Sequence, residues 1–109
     1  MTNTKNDLIE LMTNALDKIE STTTKGFFIT DQYDVRIGMN REKDTYGFDV
    51  RSDIDTCHFV QRRHAEFIKN RLDGKFDGIE LRVVSAAEWK DRSIATIRNS
   101  IELAEQIPA

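Results

Sequence analysis

The two histidines and single cysteine of the chain are the side chains best suited to proton transfer, nucleophilic attack or soft-metal ligation, so their spacing is the first question. His64 sits between Val60 and Ile68, one helical turn from each. With an ordinary pKa near 6.5, an imidazole there can serve as acid, base or ligand. A helical metal site needs a second ligand three or four residues away, and no Cys, His or carboxylate occupies those positions on this stripe. His64 therefore reads as a hydrogen-bonded histidine at the core or its rim. Cys57 and His58 invite a thiolate–imidazole pair, but neighbours on a helix diverge by about 100°. Nearby Asp53 and Asp55 disfavour a thiolate, so Cys57 reads as a structural, partly buried thiol.

Asp49, Asp53 and Asp55 form an acidic run. Such carboxylates can gather a divalent cation, yet the glycine and distal glutamate of a calcium loop are missing. They read instead as groups that cap a following helix and favour its dipole. No metal and no cofactor is expected. The five glycines, Gly26, Gly38, Gly47, Gly74 and Gly78, are scattered singly, so there is no phosphate-cradling loop. Nucleophile elbow and triad are also missing. Catalysis is the weakest reading, and no catalytic residue is named.

Cations gather in one place. Arg62, Arg63, Lys69, Arg71 and Lys75 make one basic region in a chain of net charge −3. Guanidinium forks suit carboxylate and phosphate groups, so an anionic small molecule would be held by Arg62, Arg63, His64, Arg36 and Arg51.

The elements that must position these groups follow from hydrophobic period. Tyr33, Val35, Ile37 and Met39 alternate with polar residues, as do Tyr46, Phe48 and Val50 after the break at residues 41–44. Period two with one apolar face predicts a half-buried hairpin over residues 33–51, with its second strand ending near Ser52. Phe27, Phe28 and Ile29 predict a strand over 25–30. Leu8, Met12, Ala15, Leu16 and Ile19 fall on one helical face and predict a helix over 6–20. A second helix is expected over 56–73, with Cys57, Val60, His64, Ile68 and Leu72 on one face and Gly74 as its left-handed cap. Ile79, Leu81 and Val83 predict a strand over 79–84. Ser85 and Glu88 form a capping box that opens a helix over 85–106, whose apolar face is Ala87, Ile94, Ile97, Ile101 and Ala104. The fold class is α+β: a two-layer, four-stranded, mostly antiparallel sheet with three helices in the order α-β-β-β-α-β-α. At 109 residues, one domain is expected.

The last helix has a second stripe, Trp89, Thr96, Leu103 and Ile107. Partly exposed Trp and Leu suit a self-association seam or partner contact. The sheet's outer face carries Asp34, Arg36, Asp49, Arg51, Glu80 and Arg82, whose alternating signs suit solvation.

Hydrophobic residues make up 39% of the chain and charged residues 32%, a composition suited to a folded soluble domain rather than a disordered one. The mild acidity gives no direct nucleic-acid signal. Neither a leader nor a membrane span is read from the sequence, and a lone cysteine excludes an internal disulfide, so a reducing cytoplasm is expected. Two functions follow as expectations. One is a small acidic non-catalytic binding protein, a homodimer of inhibitor or immunity type, that docks on another protein such as a basic nuclease or effector. The other is a protein that sequesters an anionic ligand or nucleotide, or, less favoured, a small enzyme.

Overall fold

The computed structural model describes residues 4–51 and 53–108. Met1, Thr2, Asn3, Ser52 and Ala109 lie outside it, and with them the strand end expected near Ser52 and the reading of the extreme N-terminus. The elements are α1 (Thr4–Glu20), β1 (Phe27–Thr30), β2 (Ile37–Asn40), β3 (Tyr46–Phe48), β4 (Ile54–Thr56), α2 (Arg62–Leu72), β5 (Arg82–Ser85) and α3 (Ala86–Glu105). The α+β class holds, with three helices and two antiparallel sheets in place of one four-stranded sheet. Among the described residues no helix is long and apolar enough to cross a membrane.

The chain divides into two compact units, Thr24–Trp89 and a second built from the two ends, Met1–Thr23 with Lys90–Ala109.

In the first unit the predicted hairpin forms, with Ile37 opposite Phe48, Gly38 opposite Gly47 and Met39 opposite Tyr46. It is shorter than the alternation suggested. Tyr33 and Val50 lie outside the strands and are 77% and 74% exposed. The reason for the late start is Asp31. Its buried carboxylate accepts the backbone N–H groups of Tyr33 (2.8 Å) and Val35 (2.9 Å), which winds residues 31–35 into a turn before β2 can begin. A single bridge, Thr30 to Arg36, joins β1 to this segment, so the expected meander is complete only between β2 and β3.

Where a helix was expected from residue 56, the chain makes β4, pairing Gly38 with Thr56 and Asn40 with Ile54 on the second edge of β2. Two close backbones allow it. A Cβ on Gly38 would fall onto the Asp55 carbonyl and 2.5 Å from Ile54 Cγ2, so only glycine admits this approach. Helix α2 consequently starts at Arg62, with Gln61 at its N-cap position and no side-chain cap. It ends as predicted at Gly74, whose φ of +80° is the left-handed cap conformation.

Strand β5 pairs antiparallel with β1, Phe28 opposite Val84 and Ile29 opposite Val83. Alternation gives β1 two faces. On one, Ile29 joins Ile37, Phe59, Ala65, Leu72 and Leu81 in the core beneath α2. Each of the larger side chains, Ala65 excepted, contributes about 1.5–3 kcal/mol when fully buried. The inward face of α2 is thus Ala65, Ile68 and Leu72, whereas Val60 precedes the helix and is 80% exposed. On the other face lie buried Phe28, Val84 and Trp89. Ser85 opens α3 as expected, its Oγ accepting the Glu88 N–H at 3.1 Å.

In the second unit, Lys90 Nζ donates to the carbonyls of Glu20 (2.6 Å) and Thr22 (3.0 Å), where a cation suits the C-terminal end of α1. The expected face of α3 holds here, with Ile94, Ile97 and Ile101 half-buried and Ala104 buried; on α1, Met12, Ala15, Leu16 and Ile19 are half-buried, but Leu8 is 41% exposed.

Candidate functional site

The basic helix and the hairpin enclose the feature that most resembles a binding site. A hollow of about 480 Å³ opens between them, lined by Met39 and Tyr46 from the hairpin, by Cys57, Phe59 and Val60 from the connector, and by His64 and Ile68 from α2. A second hollow of about 370 Å³ continues along the helix, sharing Met39, Tyr46 and Ile68 and adding Asp44, Arg71 and Lys75. The shared residues make the two a single trough along α2.

His64 sits at the lip of this trough, exposed, its ring edge-on to Phe59 with centroids 5.5 Å apart. It is a rim histidine, one of the two places the sequence allowed. Cys57 is half-buried and not helical, and burial raises its pKa above the ordinary value of 9.0, so the neutral thiol is favoured over the nucleophilic thiolate. His58 also lines the first hollow, but its Nε2 lies 2.6 Å from the Lys25 carbonyl, an acceptor, so that nitrogen donates. Cys57 and His58 form no catalytic pair.

The acidic run behaves differently from the helix-capping role expected of it. Asp49 accepts from Arg36 Nη2 at 2.9 Å and from the hydroxyl of Thr56. Asp53 accepts from Asn40 Nδ2 at 2.9 Å and from the guanidinium of Arg51 at 3.0 and 2.9 Å. Asp55 faces Arg41 at 3.5 Å. None caps α2, because β4 lies between. Among the described residues no three His, Cys, Asp or Glu side chains gather as a metal site would require.

The arginines named for an anionic ligand separate into distinct places. Arg51 is occupied by Asp53. Arg36 points to the sheet face opposite Ile37, with its guanidinium 4.0 Å from the Trp89 ring centroid and 4.8 Å from that of Phe28. Burial lowers its pKa and the Asp49 carboxylate opposes that shift. Arg62, Arg63 and His64 remain together at the start of α2, on the other face.

On α2 the cations are held mainly by neutral groups. Arg62 lies over the Phe27 ring at 4.9 Å and Arg71 over Phe67 at 5.7 Å. Arg63 Nε donates to Gln61 Oε1 at 2.8 Å. Lys69 alone among the five is ion-paired in the described residues, to Asp73 at 3.0 Å. Two of the free charges, Arg62 and Arg63, occupy the first turn, where the macrodipole is already positive and acidic residues are favoured. That local arrangement works against the helix, and such violations of local preference collect at functional sites.

The stripe Trp89, Thr96, Leu103 and Ile107 is also divided. Thr96, Leu103 and Ile107 are exposed. Trp89 is 6% exposed, with Nε1–H donating to the Asp34 carbonyl at 2.8 Å and its ring edge-on to Phe28. The expectation of a partly exposed tryptophan fails because the first turn of α3 folds back over β1.

Sequence reasoning missed Met39, Tyr46 and Phe59 as site residues. Alternation marked Met39 and Tyr46 only as apolar, Phe59 fell unremarked inside the expected second helix, and the trough exists because α2 begins late. No family model matches the chain, and no curated protein or solved structure is significantly similar to it.

Proposed function

We propose that the chain is a non-catalytic binding protein that docks on an acidic surface of another protein through α2. The observation that carries this reading is the cluster Arg62, Arg63, Arg71 and Lys75, which has no carboxylate ion-pair partner among the described residues, with Arg71 and Lys75 lining the trough. A basic partner, such as an immunity-type inhibitor would meet, draws support from the net charge of −3. An acidic partner draws support from the stretch 62–75, where five cations face two carboxylates. Screening decides between them. At physiological salt the Debye length is about 8 Å, so a local cluster governs what a docking surface feels more than charge spread over the whole chain. An apolar groove with a guanidinium at its edge, that of Arg71, also has the composition of interface centres, where arginine is enriched.

The experiment is affinity capture with cross-linking from the native cells, comparing the wild-type chain with Arg62→Glu/Arg63→Glu. The expected result is one acidic protein cross-linked through Lys69 or Lys75, lost in the double variant and weakened at high salt. Glutamates in the first turn should leave the melting temperature unchanged or raise it, because they suit the helix dipole. Capture that survives the charge reversal would sink the proposal.

A further inference from the structure

Resting on that reading, we infer that the trough along α2 receives an extended segment of the partner, seating one apolar side chain against Met39, Tyr46 and Ile68 and laying a carboxylate on Arg71 and Lys75. The two hollows share those three apolar residues, so an apolar side chain seated on them lies between the two and not at an outer end. From Ile68 to Arg71 the helix advances about 4.5 Å, three residues at about 1.5 Å each. An extended chain covers that in one to two residues at about 3.3 Å each. The recognised pattern is therefore an apolar residue followed or preceded, within two positions, by Asp or Glu.

Charge fixes the polar half of the pattern. The second hollow holds two cations and one carboxylate, Asp44. Arg71 is braced by the Phe67 ring rather than by a carboxylate, so its fork is available for bidentate pairing. A wholly apolar segment would leave one of the two cations without counter-charge, because Asp44 is a single carboxylate against Arg71 and Lys75. A purely acidic one would leave Met39, Tyr46 and Ile68 uncovered. The mixed segment satisfies both.

The test is a titration of the 15N-labelled chain followed by amide shifts. The probes are the acetylated, amidated peptide Gly-Gly-Leu-Asp-Glu-Gly, the same peptide with Ser for Leu, the same with Lys at both acidic positions, and succinate. The first peptide is expected to move the amides of Tyr46, His64, Ile68, Arg71 and Lys75 saturably at millimolar concentration. Each altered peptide, and Arg71→Glu/Lys75→Glu with the first, should bind at least tenfold more weakly. No saturable shift, or shifts spread over other faces alike for all peptides, overturns the inference. Succinate moving the same amides with equal affinity overturns it in favour of a small anion. Capture lost in Arg62→Glu/Arg63→Glu with no peptide shift discards the trough and keeps the acidic partner. Peptide shifts without charge-dependent capture keep the trough and discard the docking function.

Discussion

Arg36 lays its guanidinium 4.0 Å from the Trp89 ring centroid while its Nη2 holds Asp49 at 2.9 Å. One side chain thereby joins the strand β2, the turn after β3 and the first turn of α3. Both charged side chains of the pair are 19% exposed, so water screens the pair only in part. Arg36→Met leaves Asp49 half-buried without its cation and should cost about 2–4 kcal/mol, somewhat below the range for fully buried pairs. Arg36→Lys keeps the charge but not the planar stack, and should cost about 1 kcal/mol. Urea unfolding followed by circular dichroism measures both, and an Arg36→Met variant as stable as wild type would show the pair to be incidental.

Asp31 organises the turn between β1 and β2 by accepting two backbone N–H groups with one carboxylate oxygen. Asp31→Ala strands both donors and should destabilise the chain by about 1–3 kcal/mol. Amide exchange at Tyr33 and Val35 should quicken before exchange in the sheet does. Asparagine at this position retains an acceptor and should recover part of the loss. Equal exchange rates in wild type and Asp31→Ala would remove the turn from this role.

At Gly38 the backbones of β2 and β4 leave no room for a side chain. Gly38→Ala places a methyl group on the Asp55 carbonyl, and the neighbouring atom is backbone rather than a flexible side-chain end. We expect β4 to detach, with a loss of about 2 kcal/mol or more, beyond ordinary overpacking because the strand cannot shift without losing its pairing. Loss of protection at the Cys57 amide, which donates to Ile37 at 3.0 Å, is the specific signal. Retained protection there would contradict the close approach.

The half-buried thiol gives a pH dependence of defined sign. Cys57 has a folded-state pKa raised above 9.0 by desolvation, so between the two values the folded chain holds the proton that the unfolded chain has released. Its contribution is fully present below the unfolded value and is lost as pH rises through the folded one. Wild type should therefore lose melting temperature faster than Cys57→Ala from about pH 9 upward. At pH 7 the thiol should react slowly with a disulfide reagent. Parallel melting curves for the two proteins across that range would refute the shift.

Much of this architecture was legible in the residues, and what was not has a common cause. Ile37, Met39, Tyr46 and Phe48 announced the hairpin because burial on one face leaves a period of two. Ser85 and Gly74 announced helix ends because backbone geometry there admits few side chains. β4 escaped notice because three residues, Ile54 to Thr56, are too short to show a period, and the aspartates around them looked like helix caps. Trp89 was misplaced because a helical stripe describes a helix alone, and this residue's burial comes from β1. The trough was illegible for a related reason: Met39, Tyr46 and Ile68 each read as core, and only the late start of α2 leaves them at an open edge.

The pairing of β1 with β5 governs how the chain leaves the ribosome. Phe27, Phe28 and Ile29 emerge early, but their partners Ser85, Val84 and Val83 follow after roughly 3–11 s of synthesis at about 5–20 residues per second. Until then the strand's pairing among the described residues is limited to the bridges to Phe59 and Arg36. Such an interval exposes an unpaired strand edge to other nascent chains and to holdase chaperones. A chain truncated ahead of Arg82 would accordingly be a chaperone client and not a smaller version of this fold.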